Sequence, residues 1–239
     1  MRRALVVGGT KGLGLEIARR AQSHGTMPIV AGRSVDRDKG LEIGGCRADS
    51  VLLDVTSGVS VDYAMKDIGD VTDIDTLFFV AGQPPSMDQL LHTRIEELWN
   101  LYEVMCLGWM RVVRAFHERK KAPYALVTVA STTAWKVRPE GEVAYAGAKA
   151  AQAAMAANFH NELIVDFPGS RSLIVYPGGM KTDFLAGTGR DTSLWMDPAE
   201  VARLIWRQIN LQMDPIVHMQ IERKNGRPDV SFGPRPLTV

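Results

Sequence analysis

The chain has little cysteine, no excess of either charge and no long hydrophobic run, and each shortage removes a class of protein. Its two cysteines, Cys46 and Cys106, are too few and too far apart for a disulfide framework or a metal-ligand cluster, and they suit a reducing cytoplasm. Lysine and arginine number 28 against 27 aspartates and glutamates, a formal net charge of +1, so nothing draws the chain to nucleic acid or to an anionic membrane. The opening Met1-Arg2-Arg3 leads into an apolar run too short for a signal-peptide core or a membrane span. A cytoplasmic location is therefore expected. What is present is an ordinary soluble composition, 46% hydrophobic and 23% charged over 239 residues, enough to bury a substantial core.

Strand-like and helix-like patterns alternate along the chain. Strand patterns fall at residues 4–7, 27–31, 51–55, 74–80, 124–130, 172–176 and 216–221, and helical spacing at 15–21, 95–119, 144–157 and 199–211. With no internal linker and no repeat, the alternation predicts one α/β domain over residues 1–239, a doubly wound parallel sheet of about seven strands with helices on both faces.

The first strand pattern runs into Gly8-Gly9-Thr10-Lys11-Gly12-Leu13-Gly14 and then into a helix. Strand, glycine turn and helix make a phosphate-binding opening, because the backbone must turn sharply and come close to a pyrophosphate that rests on the positive end of the new helix. Alone, such a turn serves plain backbone geometry as readily. The second strand pattern ends in Gly32-Arg33-Ser34. There an acid would bond a free ribose 2′-hydroxyl, whereas an arginine accommodates a 2′-phosphate. Arg33, with Lys11 as a second positive charge, points to NADP(H) over NAD(H), and Asp36 is the neighbour that works against it. Asp54, followed by Val55, meets the adenine ring or caps the next helix. Ala81 and Gly82, after the fourth strand pattern, are small enough for a cofactor to lie against the backbone.

The fifth strand pattern delivers Ser131 at its C-terminal end, where ligands bind in open parallel sheets. Across a loop containing Trp135, Arg138 and Pro139 comes the alanine-rich helix, with Tyr145 and Lys149 four residues apart on one face. A free phenol has a pKa of about 10, and a nearby ammonium favours the phenolate, so the pair makes a tuned acid. Tyr-x-x-x-Lys by itself is common on helices. The sixth strand pattern ends in Pro177-Gly178-Gly179-Met180-Lys181-Thr182. The aromatic and methionine positions of 95–119 read as core, and His117 near its end as a complement to the helix dipole.

Taken in order, Gly8-x-x-x-Gly12-x-Gly14, Ser131, Tyr145-x-x-x-Lys149 and Pro177-Gly178-x-x-x-Thr182 resemble the short-chain dehydrogenase/reductase family over nearly the whole chain. The resemblance implies a Rossmann-type fold and an oxidoreductase, here an NADPH-dependent carbonyl reductase or the reverse alcohol dehydrogenase. It makes Tyr145 the general acid, Ser131 the holder of the substrate oxygen, Lys149 the residue that positions the nicotinamide ribose and lowers the tyrosine pKa, and Thr182 a contact to the nicotinamide carboxamide. It also implies a homodimer or homotetramer built through the long helices. The sequence departs from the pattern twice. Phe79-Val80-Ala81-Gly82 stands where the family often shows Asn-Asn-Ala-Gly, and Met105 stands where the family carries a helix asparagine. A thioether cannot organise a backbone carbonyl and a relay water as an amide does.

Residues 183–197 fall where the family has a substrate lid. The glycines Gly187 and Gly189 with Phe184, Leu185, Leu194, Trp195 and Met196 suggest a mobile segment closing an apolar surface over an apolar or aromatic carbonyl. Proline-rich residues 227–239 read as an arm at a subunit interface. The rival reading is an NADP(H)-binding sensor or scaffold with an impaired relay, favoured by Met105 and Val80; other reactions on the same scaffold are a third.

Overall fold

A computed structural model describes residues 2–36, 41–85, 88–137, 141–186, 189–225 and 227–233. Arg138, Pro139, Gly187 and residues 234–239 of the expected arm lie outside them. Among the described residues nine strands form one sheet: β1 (Arg3–Val7), β2 (Met27–Gly32), β3 (Leu41–Ile43), β4 (Cys46–Leu52), β5 (Ile74–Phe79), β6 (Ala125–Val129), β7 (Arg171–Pro177), β8 (Ile216–Lys224) and β9 (Arg227–Phe232). Their order is β3-β4-β2-β1-β5-β6-β7-β8-β9. From β4 to β8 every neighbour is parallel, with Val6 level with Val30 on one side and Phe78 on the other. Only the outer strands β3 and β9 run antiparallel to theirs.

Parallel strands buried on both faces require nearly continuous apolar sequence. In β1 the side chains alternate: Leu5 and Val7 enter one core, Ala4 and Val6 the other. The first core lies under α2 (Gly58–Ile68), α3 (Ile95–Tyr102), α4 (Gly108–His117) and α5 (Val143–Asp166). The second lies under α1 (Gly12–Ser23) and α6 (Pro198–Leu211), where Phe78 stacks on Trp206 with ring centroids 6.0 Å apart. Ser57 caps α2 by accepting from the Ser60 amide, and Asp197 caps α6 by accepting from Ala199 ahead of Pro198. Among the described residues no helix is long and apolar enough to cross a membrane.

Four expectations need correction in detail. The sheet has nine strands, not about seven. β3 reaches β4 through Gly44 and Gly45, both at positive φ (57° and 80°), and the interleaved Glu42 and Asp49 hide this hairpin from a search for apolar runs. β4 begins at Cys46 and ends at Leu52, leaving residues 53–55 in the loop that follows. The expected arm opens as β9, with Pro228 on an edge where its missing N–H is not needed by a further strand. The helix expected at 95–119 is interrupted by a π-turn, Glu103–Leu107, in which the Gly108 amide donates to the Glu103 carbonyl. Gly108 is required there, since a Cβ would lie 2.7 Å from Val55 Cγ2. His117 ends α4, with its Nε2 2.9 Å from Asp166 Oδ2 and its Nδ1 3.2 Å from the Tyr124 hydroxyl.

Candidate active site

The chain reverses direction across the sheet between β1 and β5, and a cleft of about 600 Å³ opens at the C-terminal ends of the parallel strands there. Gly8 leaves β1 at φ 84°, with its amide donating to Ala31 O at 2.8 Å. A Cβ on Gly8 would stand 2.6 Å from the Ala81 amide nitrogen, so this turn passes against the end of β5 as only glycine can. The turn delivers Thr10, Lys11, Gly12, Leu13 and Gly14 to the cleft wall. At its Lys11 N-cap, α1 has no side-chain capping bond and no acidic residue in its first turn. Its leading amides are thus unclaimed by side chains, an arrangement suited to an anion.

Arg33 and Ser34, at the end of β2, line the same cleft, and Asp36 does not. Asp54 and Val55 line it from the loop after β4. Asp54 does not cap α2, a post taken by Ser57; it accepts from the Thr56 amide at 2.9 Å and the Thr56 hydroxyl at 2.8 Å. Burial pushes the Asp54 carboxyl up, but these hydrogen bonds and the Arg33 charge together hold it below its ordinary value. Ala81 and Gly82, after β5, close the floor.

The opposite wall carries the reactive groups. Ser131 leaves β6 in an extended conformation and caps a 3₁₀ turn, Thr132–Ala134; its Oγ accepts from the Thr133 amide at 3.2 Å and shares a short hydrogen bond with the Thr133 hydroxyl. The Ser131 hydroxyl stands near enough to the Tyr145 phenol to bear on its acidity. One turn further along α5, Lys149 is buried, with Nζ donating to Val129 O at 2.9 Å and Gln152 Oε1 at 3.0 Å, and standing 6.0 Å from the centre of the Tyr145 ring. Burial raises the Tyr145 pKa well above that of a free phenol, the Ser131 hydroxyl works against the rise, and the Glu142 carboxylate adds to it. Burial pushes the Lys149 ammonium down to about 7, with Cys106 pulling weakly the other way. The sequence leads one to expect a phenol lowered by its lysine. In the folded protein burial instead dominates both groups, raising the phenol and lowering the ammonium. Two hydroxyls, those of Ser131 and Tyr145, thus share one cleft with a buried amine whose charged form burial disfavours.

Pro177, at the end of β7, and Gly178 and Thr182, in the loop after it, complete the cleft. Thr182 faces the glycine turn closely: a Cβ on Gly12 would stand 3.4 Å from its Cγ2. In the region expected to form a lid, Phe184 lies 6.2 Å from Tyr145, ring centre to ring centre, and Trp195 lies flat enough on Gly179 that a Cβ there would meet it at 2.7 Å. Arg190 joins this segment to the start of α5 through a 2.6 Å ion pair with Glu142. Every residue singled out for cofactor or chemistry in the sequence therefore lines one cleft. Reasoning from sequence missed Thr133, the Arg190–Glu142 pair and Gln152. Gln152 alone carried a signal, standing three residues beyond Lys149 on the same helical face.

A sequence model of the short chain dehydrogenase family matches residues 2–193. An alcohol dehydrogenase from the archaeon Thermococcus sibiricus, complexed with 5-hydroxy-NADP, has the same fold with a TM-score of 0.77 at 24% identity, over 94% of this chain and 97% of that one. An actinorhodin polyketide ketoreductase with NADPH gives 0.76 at 22% identity over 94% and 96%, and a short-chain dehydrogenase from Streptomyces avermitilis gives 0.75 at 22% over 91% and 88%. No curated relative matches the sequence. With the family model covering most of the chain and the sheet order and cleft in place, the chain belongs to the short-chain dehydrogenase/reductase family.

Proposed function

We propose that this oxidoreductase is NADP(H)-dependent and interconverts a carbonyl compound and its alcohol, as a single dinucleotide-binding domain over residues 1–239. One observation carries the reading: an uncapped, acid-free helix N-terminus shares a cleft with Ser131, Tyr145 and a buried lysine. The residues present fit a dinucleotide. Amides of the turn Gly8 to Gly14 suit a pyrophosphate, Arg33, Lys11 and Ser34 suit a 2′-phosphate, and Asp54, Val55, Ala81 and Gly82 border the remainder of that half. Pro177, Gly178, Thr182 and Lys149 fit the nicotinamide half. When bound, the nicotinamide supplies or accepts hydride.

The chain's own residues then do the following. The Ser131 and Tyr145 hydroxyls donate to the substrate oxygen, so the charge that grows there meets donors already aimed at it. Tyr145 gives its proton to that oxygen in reduction and takes it back in oxidation. An ammonium at Lys149 holds the ribose and draws the phenol pKa down against the effect of burial. Phe184, Leu185 and Trp195 at the mouth support a substrate with an apolar or aromatic body. Apolar side chains exposed on α3 and α4, Ile95, Trp99 and Met110, support a homodimer or homotetramer, and the free buried thiol of Cys106 supports a cytoplasmic setting. Calorimetric titration with NADPH and NADH side by side, followed by a carbonyl screen read by NADPH oxidation, tests the proposal. Binding of neither nucleotide would overturn it.

A further inference from the structure

Met105 leaves a chemical gap beside the lysine, and the packing shows what fills it. Gln152 is fully buried. Its Oε1 accepts from Lys149 Nζ at 3.0 Å and its Nε2 donates to the Met105 carbonyl at 2.9 Å. An ammonium can only donate and a carbonyl can only accept, so the bridge between them needs one group that does both, and it fixes which end of the amide faces which partner. The Met105 carbonyl belongs to the π-turn that separates α3 from α4, and such turns present backbone groups that a regular helix keeps to itself.

Resting on the catalytic reading above, we propose that Gln152 is a positioning residue, whose carboxamide ties the Lys149 ammonium to the π-turn carbonyl and so sets where the lysine sits and when it carries charge. Two of the three N–H donors of Lys149 are spoken for, by Val129 O and Gln152 Oε1, which leaves one for the cleft that Lys149 lines. The amide side is closed to protons, because Gln152 Nε2 ends on a backbone carbonyl that cannot take one. Proton exchange at Lys149 Nζ is thereby directed to the cleft. Neighbouring groups do not duplicate the role: the π-turn offers the Cys106 thiol, which donates to Ala148 O at 3.5 Å, β6 offers only the Val129 carbonyl, α5 offers the Tyr145 phenol, and the Glu142 carboxylate acts on that phenol and is paired with Arg190.

The test compares Gln152→Glu, Gln152→Met and Tyr145→Phe with the unaltered protein, reading NADPH affinity by fluorescence against pH and kcat against pH on a carbonyl substrate. A carboxylate at position 152 favours the ammonium and a thioether gives it no partner, so the pH at which affinity falls as Lys149 loses its proton moves up by about one unit or more in Gln152→Glu and down by about one in Gln152→Met. The Met variant also loses about tenfold or more in kcat with substrate KM within about threefold, while Tyr145→Phe leaves the affinity midpoint in place. The Glu variant is nearly isosteric and serves where the Met variant does not fold. Variants that lose stability or rate but share the original midpoint, or an original protein without one, overturn the role of Gln152. Full turnover in Tyr145→Phe overturns the catalytic reading instead, and the affinity midpoint then decides Gln152 separately.

Discussion

On the proposed reading cofactor choice turns on Arg33, and its replacement by alanine is expected to weaken NADPH binding selectively. The side chain is exposed at the end of β2, and part of its field already acts on Asp54. A contact between unit charges at 4 Å is worth about 1 kcal/mol in bulk water and about 4 kcal/mol at the effective dielectric of a protein surface. Exposure and the sharing with Asp54 place Arg33 in the lower part of that range, at about 1–2 kcal/mol, or roughly a 5- to 30-fold rise in the Kd for NADPH. NADH lacks the 2′-phosphate and should bind within about twofold of the unaltered protein. Arg33→Asp replaces attraction by repulsion and should lose about twice as much free energy, bringing the two nucleotides to near parity or reversing them. Isothermal titration at low and high salt supplies the assay; the NADPH advantage should shrink as the Debye length falls from about 10 Å at 0.1 M to about 3 Å at 1 M. Equal losses for both nucleotides would show that Arg33 acts through the fold, and no loss at all would show that the 2′-phosphate is held elsewhere.

Other outcomes follow from the same cleft. Tyr145→Phe should cut kcat by about 10²–10⁴-fold with NADPH affinity within about threefold, as measured by NADPH oxidation and titration; unchanged turnover would remove the phenol from the mechanism. Gly8→Ala forces an L-residue to φ 84° and sets a methyl 2.6 Å from the Ala81 nitrogen, a cost of at least about 2 kcal/mol. By calorimetry that is a Tm lower by roughly 4–8 °C in a chain of this size, and a Tm within a degree of the original would refute the contact. For Lys149 the folded pKa, about 7, lies below the ordinary 10.5 retained on unfolding. The folded state then binds fewer protons between those values, so the penalty of the buried charge is present in full below pH 7 and is relieved as pH rises toward 10.5. Lys149→Met should flatten that rise, and parallel Tm–pH curves for the two proteins would contradict it. Arg190→Ala removes the link from the proposed lid to Glu142 and should raise substrate KM several-fold while leaving NADPH affinity unchanged, a split that steady-state kinetics and titration together resolve.

Local chemistry made many of the residues that line the cleft readable in advance. A glycine turn between a strand and a helix, a basic residue at the end of the next strand, and a tyrosine four residues before a lysine are each written within a few consecutive positions. What escaped depends on relations between distant segments. The π-turn leaves no trace in the periodicity, because Leu101, Met105, Trp109, Val112 and Phe116 keep helical spacing straight through it and all are buried. Without the π-turn the Met105 carbonyl has no visible use, and without that carbonyl Gln152 is one more polar residue on a helix. Glu142 and Arg190 pair across 48 positions, beyond the reach of any spacing rule. The outer strands hid for another reason: an edge strand needs no apolar alternation on both faces, so Glu42 in β3 and Pro228 in β9 look like loop residues.

Those two outer strands have a consequence for how copies of this protein meet. A parallel sheet that stopped at β4 and β8 would end in two borders of unpaired amides and carbonyls, open to recruitment of another chain. Instead each border is turned back on itself. On one side the cover is three residues long, and on the other it carries a proline and an aspartate, Pro228 and Asp229. Neither is a good template for a strand from a neighbour. The sheet rims thus offer little to a strand from another copy, and a folded pool of this protein should resist growth into fibres.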